Sequence, residues 1–154
     1  MKVINIRGYK VIIDEEDYLR VSKEKWYPYF NDIYGPYIKN GKGLTLGRFI
    51  LNPPKNLDVD HINRKPLDNR KSNLRVATRS QNKANVKKYK NNKSGFKGVW
   101  LKKDRIHRTK MWSASTSYKG KTVHFGNFNT PEEAAKAYDK NVKKLFKEFA
   151  LTNF

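Results

Sequence analysis

The sequence predicts an α+β chain made of two small domains, and three observations carry that reading. Its 154 residues suffice for one compact domain or two small ones. The stretch 87–94 (KKYKNNKS) is polar and basic and separates two apolar patterns, as a linker does. Beyond it, three alternating runs precede one amphipathic helix; before it, short strand and helix signals surround a polar loop. The expected domains are residues 1–88, a basic linker at 89–94, and residues 95–154.

Val3 to Ile13 alternates around Gly8, the pattern of a hairpin or two short strands. Asp14 can cap a short helix reaching Val21, with Glu15 and Glu16 favourable in its first turn. Trp26–Phe30 and Tyr37–Lys39 read as strands flanking a Tyr-Gly-Pro turn, and Asn40-Gly41-Lys42-Gly43 is a second turn. Leu44–Leu51 is an apolar element, interrupted by Gly47 and Arg48 and ended by Pro53-Pro54. Leu57–Ile62 is a short strand entering the polar loop 63–72, and Leu74–Thr78 is a second strand. Thr78 and Gln81 form a capping box, so a helix starts there and is expected to reach about Tyr89.

In the C-terminal part, Val99 and Leu101, then Trp112, Ala114 and Thr116, then Val123 and Phe125 mark one apolar face of three strands. Thr130 caps a helix with Pro131 at its first position and Glu133 closing the box. Ala135, Tyr138, Val142 and Leu145 form its apolar stripe, with Ala134 and Phe146 beside it. Three antiparallel strands under one helix make a complete two-layer domain. The other face of the sheet carries Trp100, Lys102, Ser113, Ser115, Ser117, Thr122 and His124. That basic, polar and aromatic set suits nucleic acid.

Composition narrows the chemistry. Lys and Arg number 34 against 14 Asp and Glu, a net charge of +20 that favours a polyanionic partner. The charge is +3 over residues 1–50, +9 over 51–93 and +8 over 94–154, so its weight lies in the later part of the chain. Nucleic acid is the leading partner and an acidic membrane surface the weaker one. The absence of Cys excludes disulfides, thiolate zinc sites and Cys nucleophiles. No apolar run approaches the ~20 residues of a membrane helix, and the N-terminus has no signal-peptide pattern, so a soluble intracellular protein is expected.

The residues that carry chemistry lie between 60 and 85. Asp60-His61 stands at a strand end; Asn73 follows His61 by twelve residues, and Asn82 follows Asp60 by twenty-two, in the first turn of a helix. A strand, loop, strand and helix can bring strand end and helix start together. Asp60 and the Asn82 amide oxygen would then be two hard ligands for one divalent cation, completed by water and phosphate oxygens, a set that suits Mg²⁺. His61 beside the ion is a general base for water attacking phosphorus. Asn73 is expected to orient the imidazole. Each signal alone is ordinary: an Asp-His pair is usually a solvated surface pair, and Asn82 or Asn85 could merely cap a helix. Their joint spacing in a strongly basic segment favours function. His107 reads as a basic-loop residue and His124 as a nucleic-acid contact; Trp26 and Trp112 read as core, and Trp100 as the aromatic that touches nucleic acid.

Residues 59–85, VDHINRKPLDNRKSNLRVATRSQNKAN, resemble the motif of HNH homing endonucleases of the phage and intron-encoded type, and the likeness extends back through GRFILNPPKNLDVDH. Residues 95–154 resemble an AP2 DNA-binding domain through SGFKGVW, KMWSAS and YKGKTVHFGNFNTPEEAAKAYDKNVKKLF. The resemblance implies a ββα-metal fold, Asp60 and Asn82 as metal ligands, His61 as general base, Asn73 as the orienting amide, and Mg²⁺ or Mn²⁺, one ion per site. Asn82 stands where the family name has its final His, a variant common among phage members. Gly47 stands where many relatives have a His, and Trp100, Ser117 and Thr122 stand where plant AP2 relatives have arginines, so the docking face carries over and base specificity does not.

The function expected is a site-specific, metal-dependent DNA endonuclease leaving 5′ phosphate and 3′ hydroxyl ends. A monomer nicks and a homodimer cuts both strands. The resemblance implies a phage or mobile-element protein acting in the cytoplasm of a bacterial host. The alternatives are a non-catalytic AP2-type DNA-binding regulator on a degenerate nuclease scaffold, and an RNA-binding protein.

Overall fold

The computed structural model describes residues 1–103 and 110–154, so His107 lies outside the described residues. The chain divides into two compact units, 1–82 and 83–154, earlier than the expected linker. Among the described residues no helix is long and apolar enough to cross a membrane.

The N-terminal unit is built from three two-stranded antiparallel sheets and short helices. Strands β1 (Lys2–Ile6) and β2 (Tyr9–Ile13) pair through a tight turn at Arg7-Gly8, both at positive φ (49° and 90°). Helix α1 (Tyr18–Ser22) follows a single 3-10 turn at Glu15–Asp17. Asp14 does not cap it; its Oδ2 instead accepts the Lys71 amide at 2.7 Å. Strands β3 (Trp26–Asn31) and β4 (Gly35–Asn40) are longer than the pattern predicts, and Gly35-Pro36 lie within β4. Their turn is organised by Asn31, whose Oδ1 accepts the amides of Ile33 and Tyr34 at 2.9 and 3.2 Å. The Asn40 turn forms as expected, with Oδ1 accepting from Lys42 and Leu44 at 3.1 and 3.0 Å.

The apolar segment is helix α2 (Leu46–Leu51), ended by Asn52 in the left-handed region (φ 45°) before the two prolines. Strands β5 (Asp58–His61) and β6 (Leu74–Ala77) pair antiparallel, with Asp60 opposite Arg75 and His61 opposite Leu74. The Thr78–Gln81 capping box is present: the Gln81 amide donates to Thr78 Oγ1 at 3.3 Å and the Thr78 amide to Gln81 Oε1 at 2.8 Å. The helix it starts, α3 (Arg79–Ala84), is shorter than expected. The like charges of Lys87, Lys88 and Lys90 explain why propensity does not carry it to Tyr89. One core joins Ile6, Val11, Ile13, Val21, Trp26, Ile38, Leu46, Ile50 and Leu74, so α2 and β6 share packing with the N-terminal hairpin.

The C-terminal unit has the order expected: β7 (Val99–Lys103), β8 (Lys110–Tyr118), β9 (Lys121–Phe128) in one antiparallel sheet, then α4 (Pro131–Phe146). The Thr130–Glu133 capping box opens α4, which buries Ala134, Ala135, Tyr138, Val142 and Phe146. Leu145, expected in that stripe, is half-buried, as is Trp112. The pairing of β8 with β9 shifts register between Ala114 and Ser115, and Phe125 meets Tyr138 of α4 edge-on with ring centroids 6.1 Å apart. Buried Asp139 clamps the chain end, accepting the amides of Asn153 at 2.9 Å and Phe154 at 3.0 Å. Gly98 sits at φ +73°, and a Cβ there would fall inside the Tyr138 ring. Gly98→Ala is expected to destabilise this unit by about 2 kcal/mol or more, since strain and overpacking add. Thermal unfolding of the two proteins checks this; an unchanged midpoint contradicts the packing.

Candidate active site

The site is a polar loop held between β5 and β6 and against β2. The Ile12 amide donates to the Leu67 carbonyl at 2.8 Å and the Asn69 amide donates to the Ile12 carbonyl at 2.7 Å. These bonds, with the Asp14 contact to Lys71 and ion pairs from Lys71 to Glu16 and Asp17, tie the loop to the N-terminal hairpin and the turn after it. A buried loop must pair its polar groups, and this one does so among its own side chains. Asp68 accepts from Arg70 Nε and Nη2 at 2.8 and 2.7 Å and from Asn63 Nδ2 at 2.8 Å.

Asp60 is 5% exposed and receives Arg75 Nε and Nη2 on its Oδ2 at 2.8 and 2.7 Å. The cross-strand register makes this pair, because Asp60 stands directly opposite Arg75. Asp58, two residues earlier on the same strand face, receives Asn82 Nδ2 at 3.4 Å. The first turn of α3 therefore packs its Asn82 amide beside the carboxylate face of β5. Asp58, Asp60 and Asn82 each carry a hard oxygen, although the Asn82 atom turned to Asp58 is its Nδ2. Such oxygens fit a hard divalent cation whose remaining positions are filled by water and phosphate. Among the described residues no group of three His, Cys, Asp or Glu side chains is gathered to hold a metal without such help.

His61 ends β5, and its Nε2 lies 3.2 Å from Asn69 Oδ1. Burial pushes the imidazole below its ordinary pKa, against the opposing pull of the Asn69 hydrogen bond and of Asp60 and Asp68. Asn73, expected against the imidazole, instead braces the loop: its Oδ1 accepts the Asn63 amide at 3.0 Å and its Nδ2 donates to the Asp68 carbonyl at 2.7 Å. The amide on the imidazole is that of Asn69, which the sequence reading missed, together with Asp58 and Arg75. The alternation Asp58-Val59-Asp60 was the available signal for Asp58; Asn69 carried none, because its role is set by the loop's tertiary path.

The outward face of the C-terminal sheet is assembled as expected in part. Trp100 and His124 are exposed and meet edge-on at 5.6 Å, and Lys102, Ser117 and Thr122 are exposed beside them. Ser115 is half-buried. Ser113 departs from the expectation: it is fully buried, standing between Trp100 and Asn127 in the register, so it is no part of an accessible surface.

The Arg70 guanidinium beside Asp68 holds the Asp68 carboxyl below the usual carboxylate range, with Asn63 adding to it and burial opposing. A carboxyl lowered in the folded state stabilises the fold fully above its unfolded pKa, and that contribution is lost as pH falls through the folded value. Asp68→Asn is expected to be less stable than the parent at pH 7 and to lose less on acidification below about pH 4. Urea midpoints measured stepwise from pH 7 to 3 check this; parallel curves for the two proteins contradict it.

The HNH endonuclease family model matches residues 52–84, from the end of α2 through α3. A relative described as uncharacterized HNH endonuclease L560, from Acanthamoeba polyphaga mimivirus, is 35% identical over 139 residues, covering 86% of this chain and 68% of its own length. Protein 3.8 of Escherichia phage T7 is 34% identical over 97 residues, covering 63% of this chain and 76% of its own. No solved structure matches. A motif matched across β5, β6 and α3, and a likeness to the mimivirus protein that runs far beyond that motif, lead to one conclusion: this chain belongs to the HNH endonuclease family.

Proposed function

We propose that the protein is a site-specific, divalent-metal-dependent DNA endonuclease of the homing type, with Mg²⁺ or Mn²⁺ as its ion. The observation that carries the reading is the amide-held His61 imidazole at the end of the strand that also bears Asp60. In this reading His61 takes a proton from the water that attacks phosphorus, and the 3′ oxygen leaves as a hydroxyl, with 5′ phosphate on the other product. Asp60 and Asn82 hold the ion. When bound, it supplies charge stabilisation at the leaving 3′ oxygen. Asn73 contributes by bracing the loop, and Arg75 by pairing the Asp60 carboxylate and fixing its orientation.

We further propose that the C-terminal unit is an AP2-like DNA-docking domain. Trp100, Lys102, Ser115, Ser117, Thr122 and His124 make its contacts with duplex DNA. The net charge of +8 over residues 94–154 supports this through the phosphate term. Both matched relatives are viral, which supports a phage or mobile-element protein working in its host's cytoplasm. One site per chain suits a monomer that nicks or a homodimer that cuts both strands.

Supercoiled plasmid incubated with Mg²⁺ is expected to be nicked or linearised, and EDTA to abolish this; intact plasmid under both conditions, with DNA still bound, would favour a non-catalytic DNA-binding regulator. His61→Ala is expected to lower the cleavage rate by about 10²–10⁴ with little change in DNA affinity. Raised Mg²⁺ or Mn²⁺ is expected to rescue Asn82→Ala better than Asp60→Ala, because a neutral ligand contributes less electrostatic binding than a carboxylate. Rescue in the opposite order would reassign the ligands.

Trp100→Ala and Lys102→Ala are expected to weaken DNA binding. For Lys102→Ala the slope of log K against log salt should flatten by about 0.9, the value of one phosphate contact. Filter binding across a salt series measures it, and unchanged affinity and slope would remove this face from the DNA interface.

A further inference from the structure

We propose that Asn69 is the positioning residue for His61: it holds the imidazole as the Nε2–H tautomer, so that Nδ1 is the basic nitrogen, and Gly47 lacks a side chain because one would displace that amide. The proposal deepens the reading of His61 as general base and rests on it. Asn69 is 1% exposed, and its Nδ2 donates to the Pro66 carbonyl at 3.0 Å. A carbonyl oxygen only accepts, so the amide has one orientation and its Oδ1 is the atom facing His61 at 3.2 Å. That oxygen also only accepts. The ring nitrogen it meets, Nε2, must therefore carry the hydrogen. A neutral imidazole has a single N–H, which leaves the lone pair on Nδ1.

The amide is held from behind as well. The Asn69 backbone donates to Ile12 at 2.7 Å, so the orientation of the ring is referred through one residue to the edge of β2. On the remaining side stands Gly47 of α2. A Cβ built there would lie 3.2 Å from Asn69 Oδ1, 3.3 Å from Leu74 Cδ2 and 3.3 Å from Val59 Cγ1. Leu74 is buried in the core and Val59 packs against it, on the two paired strands. The Asn69 amide is the polar neighbour whose shift would be felt at His61. Gly47 has an ordinary helical backbone, so the reason for glycine here is space.

The experiment is long-range ¹H–¹⁵N correlation on the full chain with ¹⁵N-labelled histidine, at a pH where the imidazole is neutral, with His61 assigned by its loss in His61→Ala. The parent is expected to show Nε2 protonated and Nδ1 unprotonated. Asn69→Leu, similar in size without the acceptor, is expected to give a mixture of tautomers and a single-turnover cleavage rate about 10–100-fold lower, with Kd for DNA unchanged. Asn69→Asp keeps an acceptor and is expected to keep the Nε2–H form. Gly47→Ala adds helix propensity but also crowds Leu74 and Val59, so its stability does not discriminate; a purely structural role predicts unchanged spectra, and the proposal predicts a tautomer mixture and a slower rate.

Should Asn69→Leu fail to fold, Gly47→Ala and the parent spectrum decide. A parent His61 protonated at Nδ1, or a Gly47→Ala protein with parent spectra and rate, overturns the proposal. Full cleavage by His61→Ala would instead overturn the general-base reading while the tautomer spectra still report on Asn69.

Discussion

The two backbone hydrogen bonds that Ile12 exchanges with Leu67 and Asn69 are the constraint on which the site depends. A long polar connection between β5 and β6 has no apolar residues to anchor it beyond Leu67, which packs against the core. Without a partner strand its amides would be satisfied by water and its side chains would sample many arrangements. β2 supplies that partner along one edge while its Val11 and Ile13 enter the core. Asp14 continues the same edge by taking the Lys71 amide. The N-terminal hairpin is thus a support for this loop, and the acidic turn at 14–17, which leads into α1, also anchors the loop through Lys71. That placement also explains where the few acids of a strongly basic chain are used: Asp14, Glu16 and Asp17 meet Lys71, Asp68 meets Arg70, and Asp60 meets Arg75.

Much of the fold was legible because its signals are local. The Thr78–Gln81 and Thr130–Glu133 boxes, the Asn40 turn and the order of strands β7 to β9 rest on signals within a few positions of one another and form as read, while Leu101, expected on the apolar face, is exposed. What was not legible depends on distant partners. Asp14 has the composition of a cap, and a backbone amide at Lys71 takes its carboxylate instead. Strand alternation puts Ser113 on the outward face, yet it is fully buried between its cross-strand partners Trp100 and Asn127. At the candidate site, Asp60, His61 and Asn82 could be singled out as candidates by spacing, since each lies on a strand or helix. The partner of the imidazole could not, because Asn69 and Asn73 sit on the same loop with the same chemistry. Only the path of the backbone decides which amide reaches the ring.

The energetic logic of the loop separates its two kinds of polar residue. Asp68 with Arg70 and Asn63, and Asn73 with Asn63 and Asp68, close hydrogen bonds within the loop and make it one rigid piece. Asn69 spends one amide atom on the loop, at Pro66, and the other on His61. A rigid loop is required for that second bond to matter, since a mobile amide would follow the ring rather than direct it. The buried Asp60 follows the same rule. A carboxylate this far from solvent needs a compensating charge, and Arg75 opposite it provides one through two donors to a single oxygen. The register that places Arg75 there also pairs His61 with Leu74, while Asp58 shares the Asp60 face of β5 and meets Asn82. A one-residue slip of β6 would turn Arg75 to the opposite face and take its charge away from the buried Asp60 carboxylate, and the many fastenings of the loop that joins the two strands hold the register against it.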